Sequence, residues 1–221
     1  MMDLARWMSI YGSITDDFGF YPCMDHRSSM ILSNFVGDPD LPVKRGRTAY
    51  VIGNGPAIRE AVPSISGGYS IVADSAILAY WSIRGCPDMI VTDLDGDLES
   101  IFECAHQGST IVIHGHGDNI HRIIENRERI SRAMVGTTQN LPFRNVANFF
   151  GFTDGDRAAY IAHRMGFERI VLVSFDFHHV NRTKQGSAAM KAKKLKWAEA
   201  LLAMLAADRG SPMGVGDFIE I

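Results

Sequence analysis

From residue 48 onward, short apolar runs alternate with longer amphipathic stretches, and that rhythm limits most strongly what the chain can become. "TAYVIG" ends in glycine, "YSIVAD" precedes the helical "SAILAYWSI", and "PDMIVTD" precedes "LESIFECAH". "STIVIHG" leads into "NIHRIIENRERISRAM", which reads as one long helix. "NVANFFG" supplies a further strand, "GDRAAYIAHRM" a helix and "RIVLVSFD" a strand. "SAAMKAKKLKWAEALLAMLAA" reads as a closing helix before the short tail "DFIEI". Apolar runs of about four to six residues, separated by helices of about ten or more, are the pattern of a parallel sheet covered on both faces. The expected fold class is α/β, with an open, mostly parallel, doubly wound sheet.

The first 46 residues lack this rhythm. "LARWMSIY" and "MDHRSSMILSNFV" read as two short helices, and "GDPDLPVKRGR" as a connector rich in proline, glycine and charge. The expected division is an N-terminal helical appendage over 1–46 and an α/β domain carrying the site over 47–221. A length of 221 residues suits one ample domain with such an addition. The formal net charge of −3 gives no footprint for nucleic acid or an anionic membrane. No apolar run approaches the ~20 residues of a membrane span, and the early Asp3 argues against a signal peptide. Cys23, Cys86 and Cys104 are scattered and form no CxxC pair. That argues against a disulfide framework or zinc ribbon and suits a reducing cytoplasm. Oligomeric state is not written in the sequence, and a homo-oligomer with a shared site stays open.

Every expected strand ends in polar or flexible residues: "GNGP", "ADSA", "TDLDGD", "HGHGDN", "FTDGD" and "SFDFHH". In open α/β sheets, ligands bind outside those ends. "TDLDGD" carries the most chemistry. On an extended chain Asp93, Asp95 and Asp97 point to one side, and three ionised carboxylates coexist cheaply only around a cation. Oxygen ligands favour a hard ion, Mg²⁺ first. The competing reading is an acidic turn in which Asp97 caps a helix. In "GNGPAI", Gly53 and Gly55 let the backbone approach a ligand, and a helix start favours phosphate. A tight turn explains the same residues.

"HGHGDN" offers a rival: HxHxD resembles the metal motif of metallo-β-lactamase-type hydrolases, with His114 and His116 as zinc ligands. Asn119 stands where that motif continues with histidine, and Asp118 or Asn119 also suits a helix cap. "FTDGDR" adds Asp154 and Asp156, with Arg157 placed to meet phosphate; capping acids are the alternative. In "SFDF", Asp176 between Phe175 and Phe177 suits a flat, donor-rich heterocycle; a capping aspartate between two core aromatics is the competing reading. The basic stretch Arg182, Lys184, Lys191, Lys193, Lys194 and Lys196 is mostly a solvated face, with one or two lysines, Lys194 among them, available to a polyphosphate. Trp7, Trp81 and Trp197 read as packing residues.

The ordered set "GNGP", "AD", "PDMIVTDLDGD", "HGHGDN", "TTQ", "GFTDGDR" and "FDF" resembles the archaeal 6-hydroxymethyl-7,8-dihydropterin pyrophosphokinase family over roughly residues 48–205. That family is similar to the catalytic domain of thiamin pyrophosphokinase. The resemblance implies Mg²⁺-dependent transfer of diphosphate from ATP to the pterin hydroxymethyl group, with release of AMP, in folate-like or methanopterin-type cofactor synthesis. It implies roles for Gly53, Gly55, Asp74, Asp93, Asp95, Asp97, His116, Asp118, Asn119, Asp154, Asp156 and Asp176. Of these, Asp93, Asp95 and Asp118 are the expected catalytic acids, and Asp93, Asp95 and Asp97 the metal set. Asn54, Arg157 and Lys194 join the expected nucleotide and pterin contacts. The chain departs from the pattern at Asn54, at Ala57 and in "FHHVNRTKQGS". Thiamin as acceptor, a zinc hydrolase and a non-catalytic nucleotide-binding module are the remaining readings.

Overall fold

Alternate side chains of each strand enter two different cores. The computed structural model describes residues 1–178 and 188–221. The strands are β1 (Thr48–Ile52), β2 (Tyr69–Ala73), β3 (Met89–Thr92), β4 (Thr110–Gly115), β5 (Val135–Thr138), β6 (Val146–Ala147), β7 (Arg169–Val173) and β8 (Phe218–Glu220). They form one sheet in the order β6-β5-β4-β3-β2-β1-β7-β8. All pairings are parallel except β7 with β8. The helices are α1 (Leu4–Phe18), α2 (Pro22–Leu32), α3 (Ile58–Ala61), α4 (Ile77–Arg84), α5 (Leu98–His106), α6 (Ile120–Glu125), α7 (Asp154–Arg164) and α8 (Ala188–Asp208).

One face of the sheet presents Ala49, Val51, Ile71, Val91, Val112, Ile170 and Leu172 to α1, α7 and α8. The other presents Ile52, Val72, Ile90, Ile111, Ile113, Val171 and Val173 to α3, α4, α5 and the end of α2. The period of two is the strand period, so a strand with a core on each side, such as β2, β3 or β7, is apolar at nearly every position. The N-terminal helices are part of this packing. Trp7, Tyr11 and Ile14 of α1 are buried in the first core, and Leu32 of α2 in the second. Burying each such side chain contributes roughly 1.5–3 kcal/mol. Asp3 caps α1 through the Arg6 N–H at 2.8 Å, and Gly19, at φ 67°, ends it.

The chain steps outward from β1 to β6, then returns to place β7 on the other side of β1. The strand order therefore reverses between β1 and β7, where such folds open a crevice. The loops after β1 and β7 touch there: Gly55 N–H donates to the Ser174 carbonyl at 2.8 Å.

Several expectations change. The helix read over "NIHRIIENRERISRAM" stops at Glu125, where the Asn126 amide turns back onto the Arg122 carbonyl at 2.9 Å. "VGTT" then forms β5, too short and polar to announce itself. The tail "DFIEI" contributes β8, the antiparallel edge. Cys86 and Cys104, read as separate reduced thiols, pair as a disulfide with Cα atoms 5.2 Å apart. The approach to β3 and the helix that follows it return to the same end of the sheet, bringing them together; Cys23 is free and exposed. Of the basic stretch, Arg182 and Lys184 lie outside the described residues. Among the described residues, no helix is long and apolar enough to cross a membrane.

Candidate functional site

Two loops at the carboxyl ends of the neighbouring strands β2 and β3 build an acidic cluster. Asp74 follows β2, and Asp93 and Asp95 follow β3; one carboxylate oxygen from each lies within 4.8 Å of the others. Asp74 is buried at 1% exposure. Its Oδ2 accepts the Thr92 hydroxyl, whose oxygen in turn accepts the Leu94 N–H at 2.8 Å. Its Oδ1 is buried with no hydrogen-bond partner. A Cβ at Gly96 would stand 1.5 Å from that oxygen, so the glycine makes room for the carboxylate. A buried acceptor without a donor, beside two more carboxylates, fits a hard cation taking all-oxygen ligands.

The loop is not extended. Leu94 has φ 64°, and the Asp95 N–H folds back to Asp93 Oδ1 at 3.2 Å. A left-handed residue between two aspartates is uncommon and strained. Here it brings Asp95 onto Asp93 and turns Asp97 away. Asp97 instead caps α5, accepting from the Ser100 N–H at 3.0 Å and from its hydroxyl. The alternating set Asp93, Asp95, Asp97 is thus replaced by Asp74, Asp93, Asp95.

Charge is unevenly shared in the cluster. Burial and the charges of Asp93 and Asp95 push Asp74 up to about 7, against the Thr92 hydrogen bond. Burial and the Asp93 charge push Asp95 up to about 6, while Arg122 and Lys194 pull it down. Burial works against ionisation of Asp93 as well, but the hydrogen bond from His116, aided by the nearby Arg122 charge, prevails and brings it to about 2. Asp154, at the start of α7, is raised well above the usual carboxylate range by burial and by the charges of Asp93 and Asp74. It is a fourth acid facing the same group.

The "HGHGDN" loop supports this cluster. His116 Nδ1 accepts the Asp118 N–H at 3.3 Å, so its proton sits on Nε2, which faces Asp93 Oδ2 at 3.1 Å. Asn119 is fully buried. Its amide donates to the carbonyls of Asp93 at 2.9 Å and His114 at 2.6 Å, and its oxygen accepts from His116 N–H at 3.0 Å. Asn119 is therefore spent on holding the loop and is not open to a ligand. His114 is buried, and its Nε2 accepts from Arg157 at 3.1 Å. Arginine only donates, so the His114 proton is on Nδ1. Burial and the Arg157 charge hold His114 well below its ordinary value, as a neutral ring. With both histidines engaged, no zinc set forms among the described residues; the group that does form is carboxylate only.

Other sequence candidates fall into place differently. Arg157 is 0% exposed, beyond reach of phosphate. Its guanidinium donates to the carbonyls of Gly151 and Phe152 and pairs with Asp154 at 3.4 Å. It is a fixed counter-charge beneath the acids. Asp156 is also fully buried and closes a capping box with Thr153, accepting the N–H groups of Phe152 at 2.7 Å and Thr153 at 2.8 Å. Gly53 and Gly55 give their N–H groups to Val173 and Ser174, so neither offers a donor to phosphate. A Cβ at Gly55 would stand 2.4 Å from the Ser174 carbonyl oxygen, which is why glycine is needed. Asn54 and the carboxylate-bearing Asp118 are exposed. Asp176 is partly buried, with Oδ1 accepting the His178 N–H at 2.9 Å, and the flanking rings of Phe175 and Phe177 are 5.9 Å apart. Lys194 is exposed, and its charge is felt at Asp95. Thr92, Gly96, Arg122 and Leu94 escaped the sequence reading. The signal was the local one of Asp-x-Asp in a turn, where an aspartate binds the N–H two residues on.

The site's geometry can be set beside known proteins. The family model described as "6-hydroxymethylpterin diphosphokinase MptE-like" matches residues 28–182. The 6-hydroxymethyl-7,8-dihydropterin pyrophosphokinase of Methanocaldococcus jannaschii is 36% identical over 229 residues, covering 91% of this chain and 95% of that protein. The enzyme of the same name from Methanothermobacter thermautotrophicus is 36% identical over 191 residues, 81% of each chain. That from Pyrococcus furiosus is 34% identical over 221 residues, covering 92% of this chain and 94% of its own. The matched segment contains every loop that builds the cluster, and the chain belongs to the 6-hydroxymethylpterin diphosphokinase MptE-like family.

Proposed function

We propose that the protein transfers a diphosphate group from ATP to 6-hydroxymethyl-7,8-dihydropterin. The observation that carries this reading is the cluster of Asp74, Asp93 and Asp95 at the mouth of the sheet, in a chain similar to proteins of that name over nearly their whole length. The pterin hydroxymethyl oxygen attacks the β-phosphorus, the bond from that phosphorus to the α-phosphate oxygen breaks, and AMP leaves. The hydroxyl proton passes to a carboxylate of the cluster. Little covalent help is required of the protein; positioning and charge neutralisation carry such transfers.

Asp74, Asp93 and Asp95 would hold Mg²⁺, whose chemistry is to neutralise the phosphate oxygens and favour the developing charge. His116 holds Asp93 ionised and in orientation. Arg122, 3.8 Å from Asp95, and Lys194 add positive charge on the solvent side of the same group. Asp176, flanked by Phe175 and Phe177, takes the donor edge of the pterin. The glycine turn after β1 sets the wall of the crevice rather than gripping phosphate.

The test is a direct assay of purified protein with ATP, Mg²⁺ and the reduced hydroxymethylpterin. AMP and pterin diphosphate should appear in equal amounts, and EDTA should abolish both. Turnover of thiamin in place of the pterin, or no AMP with either acceptor, would overturn the assignment.

A further inference from the structure

Asp25 lies on α2, outside the strand-end loops, yet its carboxylate is 4% exposed and surrounded by donors. Oδ2 accepts the Tyr11 hydroxyl of α1 at 2.6 Å and the Gln139 side-chain amide, just beyond β5, at 2.7 Å. Oδ1 accepts the backbone N–H of Gly117 at 2.7 Å. A buried carboxylate is costly unless donors of this kind satisfy it, so its presence on a packed helix calls for a reason other than packing.

Gly117 identifies that reason. It follows His116 in the loop whose His116 ring faces Asp93 Oδ2 and whose Asn119 amide holds the Asp93 carbonyl. A Cβ at 117 would stand 2.7 Å from the Met24 Cβ, so the absence of a side chain is what lets this loop close on α2. Ser28, one turn along the same helix, donates to Asn119 at 3.3 Å. Trp7 of α1 donates to the Gln139 carbonyl at 2.7 Å, tying the third partner of Asp25 to the same pair of helices.

We infer that Asp25 is a positioning residue for the site: by gripping the Gly117 N–H it fixes loop 115–119, and through His116 and Asn119 it fixes Asp93. Its carboxylate is held by Tyr11, Gln139 and Gly117 rather than by any member of the acidic cluster. The two N-terminal helices thereby act as a brace that reaches the cluster through one carboxylate. The kinetic consequence rests on the proposed function; the effects on cation binding and loop order do not.

The experiment compares wild type, Asp25→Ala and Asp25→Asn in the full chain. The readouts are Mn²⁺ binding by electron paramagnetic resonance, amide hydrogen exchange, and the rate of AMP formation. For Asp25→Ala, exchange in 115–119 should rise selectively over strand 89–92, and the Mn²⁺ dissociation constant should rise about 10-fold or more, as when a partner of a metal ligand is lost. Asp25→Asn keeps an acceptor for one donor and should fall between the two. Should Asp25→Ala fail to fold, the same two readouts on Asp25→Asn decide the matter. Unchanged Mn²⁺ affinity and loop exchange would overturn the inference, as would loosening spread evenly through the core. Wild type that binds Mn²⁺ but forms no AMP would instead sink the diphosphokinase reading and leave the role of Asp25 to the binding and exchange data.

Discussion

Asp93 and Asp97 stand four residues apart in one loop and have opposite fates. Asp93→Asn keeps the shape but removes the ionised carboxylate, and should lower AMP formation roughly 100-fold or more while the fold survives. Asp97→Ala removes only a helix cap, costing about 1 kcal/mol of stability, and turnover should stay close to wild type. Steady-state rates paired with urea melts separate the two, and equal loss of activity in both would contradict the geometry. Gly96→Ala belongs with Asp93: its Cβ would displace the Asp74 carboxylate, so Mg²⁺ affinity should weaken without a large change in melting. At this scale the sequence displayed the acids but hid their aim. Alternation along a strand predicts a common side for 93, 95 and 97, and the left-handed Leu94 defeats it. Likewise Arg157 and Asp156 look like ligands in a string of letters. Burial at 0% shows Arg157 to be a counter-charge and decides for the capping alternative at Asp156.

Helix α1 reads as an addition to the domain because its composition stands apart from the βα rhythm, yet Trp7 is wholly enclosed by it. Trp7→Ala should destabilise the protein by about 3–5 kcal/mol, the usual cost of emptying a large aromatic site, and a urea denaturation midpoint would report it. A change below about 1 kcal/mol would mean the helix is not part of the cooperative unit. Elements with strong apolar runs, β1, β2, β3, β4 and β7, were legible, since a two-faced parallel strand is apolar at nearly every position. β5 was not, because its four residues are valine, glycine and two threonines. Its neighbours supply the burial that its own letters do not advertise. α6 was overextended because the apolar spacing runs on past Asn126, where a side-chain hydrogen bond ends the helix.

For the molecule as a whole, the acidic cluster couples folding to pH. Asp74 at about 7 and Asp95 at about 6 keep their protons in the folded state over a range where the unfolded chain has lost them. Between about pH 4 and about 7 the native state thus binds more protons, and stability in EDTA should fall as pH rises. Asp93, at about 2, acts in the opposite sense: its contribution is present above about pH 4 and lost as pH falls toward its folded value. Calorimetry in EDTA should show a lower melting temperature at about pH 7.5 than at about pH 5 from this group. Mg²⁺ should restore more at the higher pH, where the acids must otherwise face one another unshielded; a Mg²⁺ effect independent of pH would count against the cluster as its seat. The order of strands adds one more consequence. β8 seals the rim of β7, and Asp217 beside it accepts the Ser174 N–H at 2.9 Å, anchoring the segment that flanks the crevice. Trimming the chain after Gly216 would strip that seam, leaving an open row of peptide groups on which other molecules can zip, and would let go of the crevice wall at the opposite end of the sequence from the helices that brace it.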